Sequence, residues 1–182
     1  DEILYLIGST QPPAFNNVYV DNHGLVYSTT SYALDSNYDR IKKHNTSGKN
    51  IINAYCVGYT PIDIYVGNNN VIYVAWSNGR ISTYTEDGEI LFSFAGSSND
   101  DIAGLFSSIS SLAVDSNNNI YAIDDKKAAI HKFVPTEYTN LIFEALALYQ
   151  QRNYKDSISK WEQVLALNQV SAIAHYEIGL NY

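Results

Sequence analysis

The stretch Val114–Asp125, "VDSNNNIYAIDD", carries the residue types that most invite chemistry. Asp115, Asn117 and Asn119 have the D-x-N-x-N spacing with which a helix–loop–helix calcium site begins. The loop should continue with a glycine at its sixth position and a glutamate at its twelfth, but Ile120 and Lys126 stand there. The flanks "SLAV" and "IYAI" are apolar and β-prone, so they read as strands rather than helices. Asparagine tolerates the left-handed backbone of a hairpin turn. The stretch is therefore expected to be a turn. The other acidic loops, "DSNYD" (35–39) and "SNDD" (98–101), read as solvated turns. Neither supplies the six oxygens a calcium ion takes. No cofactor is expected; calcium, held with help from elsewhere in the chain, is the one candidate.

Other chemistry is absent from the pattern. Cys56 is the sole cysteine, so it forms no internal disulfide; in "NAYCVG" it reads as a small buried hydrophobe. His23, His44, His131 and His175 are not paired at metal-ligand spacing. No nucleophile elbow, phosphate loop or zinc cluster occurs. The formal net charge of -8 opposes binding to nucleic acid. No apolar run is long enough to span a membrane.

The turn recurs, and the recurrence sets the architecture. "VDNHGLVY" (20–27), "VGNNNVIY" (66–73) and "VDSNNNIY" (114–121) align without gaps, at offsets of 46 and 48 residues. "RIKKHNTSGKNII" from Arg40 matches "RISTYTEDGEILF" from Arg80, with turn glycines at Gly48 and Gly88, and "AIHKFVPTEY" follows in the third copy. One unit is thus strand, polar turn, strand, loop, strand, glycine turn, strand: a four-stranded antiparallel meander of propeller-blade size. Tyr27, Tyr73 and Tyr121, with Val20, Val66 and Val114, are expected to be equivalent and mostly buried. His44 falls where Tyr84 and Phe133 stand, a packing position. "EILYLIGS" at Glu2 is similar to "EILFSFAGS" at Glu89, so Ile3–Ile7 read as an outer strand, whereas the third unit stops at Pro135 after three strands.

"GLFSSISSLAVDSNNNIYAIDD" (104–125) resembles the NHL repeat, in which G-x-F, then [IL]-A-V-D, a polar turn and a strand recur in each blade. Pro61 matches the family's proline before the first strand; Phe15 and Ile109 depart from it. The resemblance covers residues 1–135 and implies a mainly β chain: about three four-stranded units of a six-bladed propeller.

After Tyr138 the period becomes helical. Tyr154, Ile158, Trp161 and Leu165 fall on one face, and Leu141, Ala145 and Leu148 make a shorter one. With Ala145 and Gly179 spaced by 34 residues, this tail resembles the tetratricopeptide repeat, departing from it at Ser157, Val164 and Gln169. The expected organisation is blades over 1–135 and a truncated helical repeat over 136–182, as in a segment of a longer chain.

The expected function is non-enzymatic binding of a protein or glycan through a propeller face and a helical-repeat groove. The first unit holds six more residues than the second between its second and third strands, within "STTSYALDSNYD" (28–39), and insertions in repeats map to binding loops. Tyr32, Asp35, Tyr38 and Asp39, with Trp76, Asn78, Asp124 and Asp125 of the shorter loops, are the candidate partner-binding residues. The family order, blades followed by helical repeats, implies an extracytoplasmic, cell-envelope location in a bacterium. Two chains exchanging Ile3–Ile7 would give a homodimer. The alternative is a calcium-dependent lactonase-like hydrolase, with Asp21 and Asp115 as ligands; Gly67 breaks that set in the second unit. RNA binding, which some NHL propellers perform, is opposed by the charge.

Overall fold

A computed structural model describes residues 15–31, 40–56 and 59–182. The sequence-expected outer strand Ile3–Ile7 lies outside these residues, as do Tyr32, Asp35, Tyr38 and Asp39 of the long loop.

Three sheets follow one another along the chain. The first contains β1 (Phe15–Val20), β2 (Val26–Thr30) and β3 (Ile41–His44) in sequence order. The second contains β4 (Pro61–Val66), β5 (Ile72–Trp76), β6 (Arg80–Tyr84) and β7 (Ile90–Ser97), with the two-residue β8 (Leu105–Phe106) added in parallel to β7. The third contains β9 (Ile109–Val114), β10 (Ile120–Asp124) and β11 (Ala129–Phe133). The first strands of the sheets are neighbours, β1 against β4 and β4 against β9.

The repeated turns explain the meanders. Asp115 accepts from the backbone N–H groups of Asn117 and Asn119, both at 2.9 Å, and its other oxygen takes the Asn119 amide and the Tyr121 hydroxyl. The Asn119 hydrogen bond leads the effects that hold its carboxyl below the usual carboxylate range. Asp21 does the same for His23 and Leu25, with Tyr27 on its second oxygen. Gly24, Asn70 and Asn118 occupy the same repeat position, and all have positive φ, the reason for glycine or asparagine there. The D-x-N-x-N stretch is a turn.

The register makes His44, Tyr84 and Phe133 equivalent, opposite Val26, Ile72 and Ile120. Tyr27 and Tyr73 are fully buried, as are Val66 and Val114 nearly so. Two of these six positions differ from expectation: Tyr121 is half-buried, and Val20 is 57% exposed, because no sheet precedes β1 among the described residues to cover it.

Among the described residues, the four-stranded unit is complete only in the second sheet. In the first, the expected fourth strand after Gly48 is reduced to one bridge, His44 to Asn50. Asn50 Oδ1 takes the N–H groups of Lys43 and Ile52 and so replaces ladder bonds with side-chain bonds. Ile52, Ala54 and Cys56 then alternate inward against the second sheet, and Gly88 approaches Ala54 so closely that a Cβ would sit 3.0 Å from its backbone. Cys56 is buried, as its sequence context predicts.

The helices are α1 (Glu137–Gln150), α2 (Tyr154–Leu167) and α3 (Ala172–Leu180). Thr136 caps α1 by accepting from the Thr139 N–H, directly after Pro135 ends the strand region. The buried side chains of α2 are Ser157, Trp161 and Val164; of the expected Tyr154–Ile158–Trp161–Leu165 face, Trp161 is fully buried, Ile158 and Leu165 are half-buried, and Tyr154 is exposed against the Tyr149 ring. Ser157 Oγ donates to the Ala145 carbonyl at 2.9 Å, so the small residues at this crossing bring α1 and α2 together. Ile142, Phe143, Leu146 and Trp161 belong to the same apolar core as Tyr73, Phe106 and Leu112. Asn69 ties the helices to the second sheet twice, donating to the Phe143 carbonyl and accepting from Gln150.

Candidate functional site

The sequence-selected loop residues divide into two kinds. Trp76 is fully buried, and its indole N–H donates to Ser82 Oγ at 3.0 Å. Asp124 is also fully buried; its carboxylate accepts from the N–H groups of Ser107, Ser108 and Lys127. Burial alone would raise its pKa, but these donors and the Lys127 charge outweigh it and hold the carboxyl low. Both side chains therefore anchor loops in the fold. They occupy one repeat position together with buried Thr30. Asn78 is half-buried and accepts from the Arg80 N–H, which closes its turn; Asp125 is exposed. Asp21 and Asp115, the ligands of the hydrolase alternative, hold turns. No group of three or more metal-ligating side chains gathers among the described residues.

A polar row that sequence reading missed joins the sheets. Asn17, Asp63 and Ser111 are the same repeat position, three residues before Val20, Val66 and Val114. Asp63 accepts from Ser111 Oγ at 2.7 Å and the Leu112 N–H at 2.8 Å, and Asn17 donates to its other oxygen. One carboxylate thus links β1, β4 and β9. The signal was available as a polar residue in all three copies, each followed directly by an apolar one, Val18, Ile64 and Leu112.

A mainly apolar concavity lies elsewhere, where β7, β11 and the start of α1 meet. It encloses about 320 Å3. Its walls are Phe92 and Phe94 of β7, Phe133 and Pro135 at the end of β11, and Tyr138 and Phe143 of α1. Phe94 meets Phe133 edge-on at 5.0 Å, and Phe92 lies 6.2 Å from Phe143. Alternation along β7 aims Phe92 and Phe94 to one face. Behind Phe133 lies the G-x-F element: Phe106 is fully buried, 6.2 Å from the Phe133 ring and 4.7 Å from the His131 ring, and Gly104, at φ 81°, donates its N–H to His131 Nδ1. Beside the cleft, β11 pairs with β10 on one edge and with no described strand on the other.

No protein-family model matches this chain, and no curated protein does. Solved structures do. The WD40 β-propeller domain of Doa1 superposes with a TM-score of 0.53 at 15% identity, over 71% of this chain and 39% of that one. The sheets are β-propeller blades. A streptogramin B lyase (TM-score 0.49, 17% identity, 70% of this chain and 42% of that one) and virginiamycin B lyase from Staphylococcus aureus (0.47, 19%, 71% and 44%) also align. The chain thus spans about two-fifths of each of these structures. At such identities the likeness concerns the fold and carries no activity with it. No helix among the described residues is long and apolar enough to cross a membrane.

Proposed function

We propose that this protein is a non-enzymatic binding protein, an NHL-type propeller continued by tetratricopeptide-like helices, and that it holds an extended segment of a protein partner. The observation that supports the reading is the aromatic cleft lying beside the edge of β11 that no described strand covers. An extended segment adds main-chain hydrogen bonds to such an edge while alternate side chains enter neighbouring pockets. A cavity of about 320 Å3 is within the ligand-site range and accepts one or two large apolar side chains. Its aromatic walls favour a protein strand over a glycan, whose hydroxyl groups would need many polar partners. The location proposed is the cell envelope, on the family order of blades and helices.

The best-matched segment chemistry is in the chain itself. Residues 2–9, "EILYLIGS", are similar to "EILFSFAGS" of β7, which pairs with β6 through Thr83–Phe92 and Ile81–Phe94. A second copy offering Ile3–Ile7 to β11 would reproduce that pairing and give a dimer by strand exchange. The test is titration of a peptide of residues 1–10 into protein that lacks them. The reading predicts saturable binding that a scrambled peptide does not show and that Phe94→Ala weakens with melting temperature monitored. Equal binding of both peptides, or none, would overturn it.

A further inference from the structure

The turn between β6 and β7 and the helix α3 enclose a second, much smaller space, of about 30 Å3, room for one water-sized group. Thr85, Glu86 and Asp87 line it from the turn, Tyr149 and Gln150 from α1, and Glu177 from α3. Glu177 is 4% exposed, yet its carboxylate has no hydrogen-bond or ion-pair partner among the described residues. Around it stand Asp87 and Glu89, exposed on the turn and likewise without a cation. Among the described residues, Glu86 is the one acid of the turn with a side-chain partner, the Asn70 amide at 3.0 Å and Lys43 Nζ at 3.8 Å.

Burying a carboxylate without a partner is costly, and acidic neighbours add to the cost. We infer that this cavity is a binding site for one primary ammonium group, a lysine side chain or a protein N-terminus carried by a partner, with Glu177 as its buried counter-ion and Asp87 and Glu89 as its outer ring. An ammonium suits the space better than a metal ion. Its three N–H donors can be shared between carboxylates that surround a cavity, whereas a calcium ion needs six or more oxygens converging at about 2.4 Å. The described acids do not converge in that way. The chain's net charge of -8 favours the approach of a basic partner.

Protonation and occupancy are then linked. The groups facing Glu177 are Glu86, Asp87 and Glu89 from the turn, Tyr149 from α1 and Tyr176 on α3 itself, with Lys43 of β3 behind Glu86. Burial, followed by the charges of Asp87 and Glu89, pushes the Glu177 carboxyl up to about 7. The empty site therefore holds a proton below neutrality, and an entering ammonium must displace it. Affinity rises with pH up to and through that value.

The test uses the 182-residue protein and NMR observation of the Glu177 side-chain carboxyl. The probes are acetyl-Ala-Lys-Ala-amide, the free-amine peptide Ala-Ala-Ala-amide, the norleucine analogue of the first, and calcium chloride. The first two separate a lysine from an N-terminus as the source. The inference predicts saturable binding of at least one amine probe near pH 8, about tenfold weaker near pH 5.5 and about tenfold weaker in Glu177→Gln, with release of a proton near neutrality. Asp87→Asn, on the exposed turn, weakens binding by a smaller factor and serves as the second variant should Glu177→Gln alter folding. Equal binding of the norleucine analogue, binding unchanged in both variants, no binding of either amine, or calcium binding in place of the amines would each overturn it.

Discussion

Ser111 Oγ donates to Asp63 Oδ2 at 2.7 Å, across the gap between two adjacent blades and between two copies of one repeat position. The adjacent Leu112 N–H reaches the same oxygen, and Asn17, the third copy, reaches the other. Asp63 is 8% exposed, so these bonds are made largely out of water, where an unmade one is costly.

Asp63→Ala should therefore destabilise the protein by more than a single neutral hydrogen bond, about 2–4 kcal/mol, because it leaves the buried Leu112 N–H without an acceptor and removes charge-assisted bonds. Ser111→Ala should cost only about 0.5–1.5 kcal/mol, since the Leu112 bond survives. Urea unfolding of both variants checks the order. A larger loss for Ser111→Ala would contradict the central role of the carboxylate.

Tyr73 occupies the middle copy of a position where the outer copies bond to an aspartate. Gly67 replaces that aspartate, and a Cβ there would lie 2.9 Å from the Tyr73 ring. The Tyr73 hydroxyl is buried without a partner among the described residues. Tyr73→Phe is expected to be neutral or stabilising, while Tyr73→Ala removes a core ring at a cost of about 3–5 kcal/mol. Gly67→Asp should destabilise by about 1–3 kcal/mol through overpacking although it restores the repeat. Thermal melts of the three variants provide the comparison.

Trp76 and Ser82 make a prediction that fluorescence can read. Ser82 Oγ joins the Trp76 indole N–H and Ser93 Oγ, the latter at 2.8 Å. Ser82→Ala strands the buried indole donor and should cost about 1–3 kcal/mol. Trp76 emission should stay blue-shifted in the folded variant, because burial of the ring does not depend on that bond. A red-shifted native spectrum would place one of the two buried rings, Trp76 or Trp161, at the surface.

Glu177 gives the pH dependence. Its folded pKa lies above the ordinary carboxylate value, so the native state binds the proton more tightly than the unfolded chain does. Stability contributed by the protonated form is present at low pH, falls from about pH 4.5 and is lost by the time pH passes about 7. Glu177→Gln should remove this slope and raise stability near pH 8 by about 1–2 kcal/mol, a value reduced from the full conversion by solvent around Asp87 and Glu89. Urea midpoints near pH 5 and pH 8 for both proteins measure it.

The propeller hairpins were legible in the sequence because everything that makes them is local. The turn, the position of positive φ and the tyrosine lie within eight residues, and their recurrence marked three β-meanders and aligned His44 with Tyr84 and Phe133. The junction after Pro135 was equally plain, since a residue without an N–H stops a strand and Thr136 begins a helix. Three features only the tertiary structure decided. The Asn17–Asp63–Ser111 row needs partners 46 and 48 residues apart to meet. The period of α2 was visible, but two neighbouring stripes fit it; the crossing of Ser157 beneath the Ala145 carbonyl selects the one that is buried. Trp76 lies beside a short polar loop, which by sequence alone is where a surface tryptophan could stand. The fold instead turns it inward against Ser82, because alternation along a strand specifies a face and only the packing of sheet on sheet specifies which face is dry.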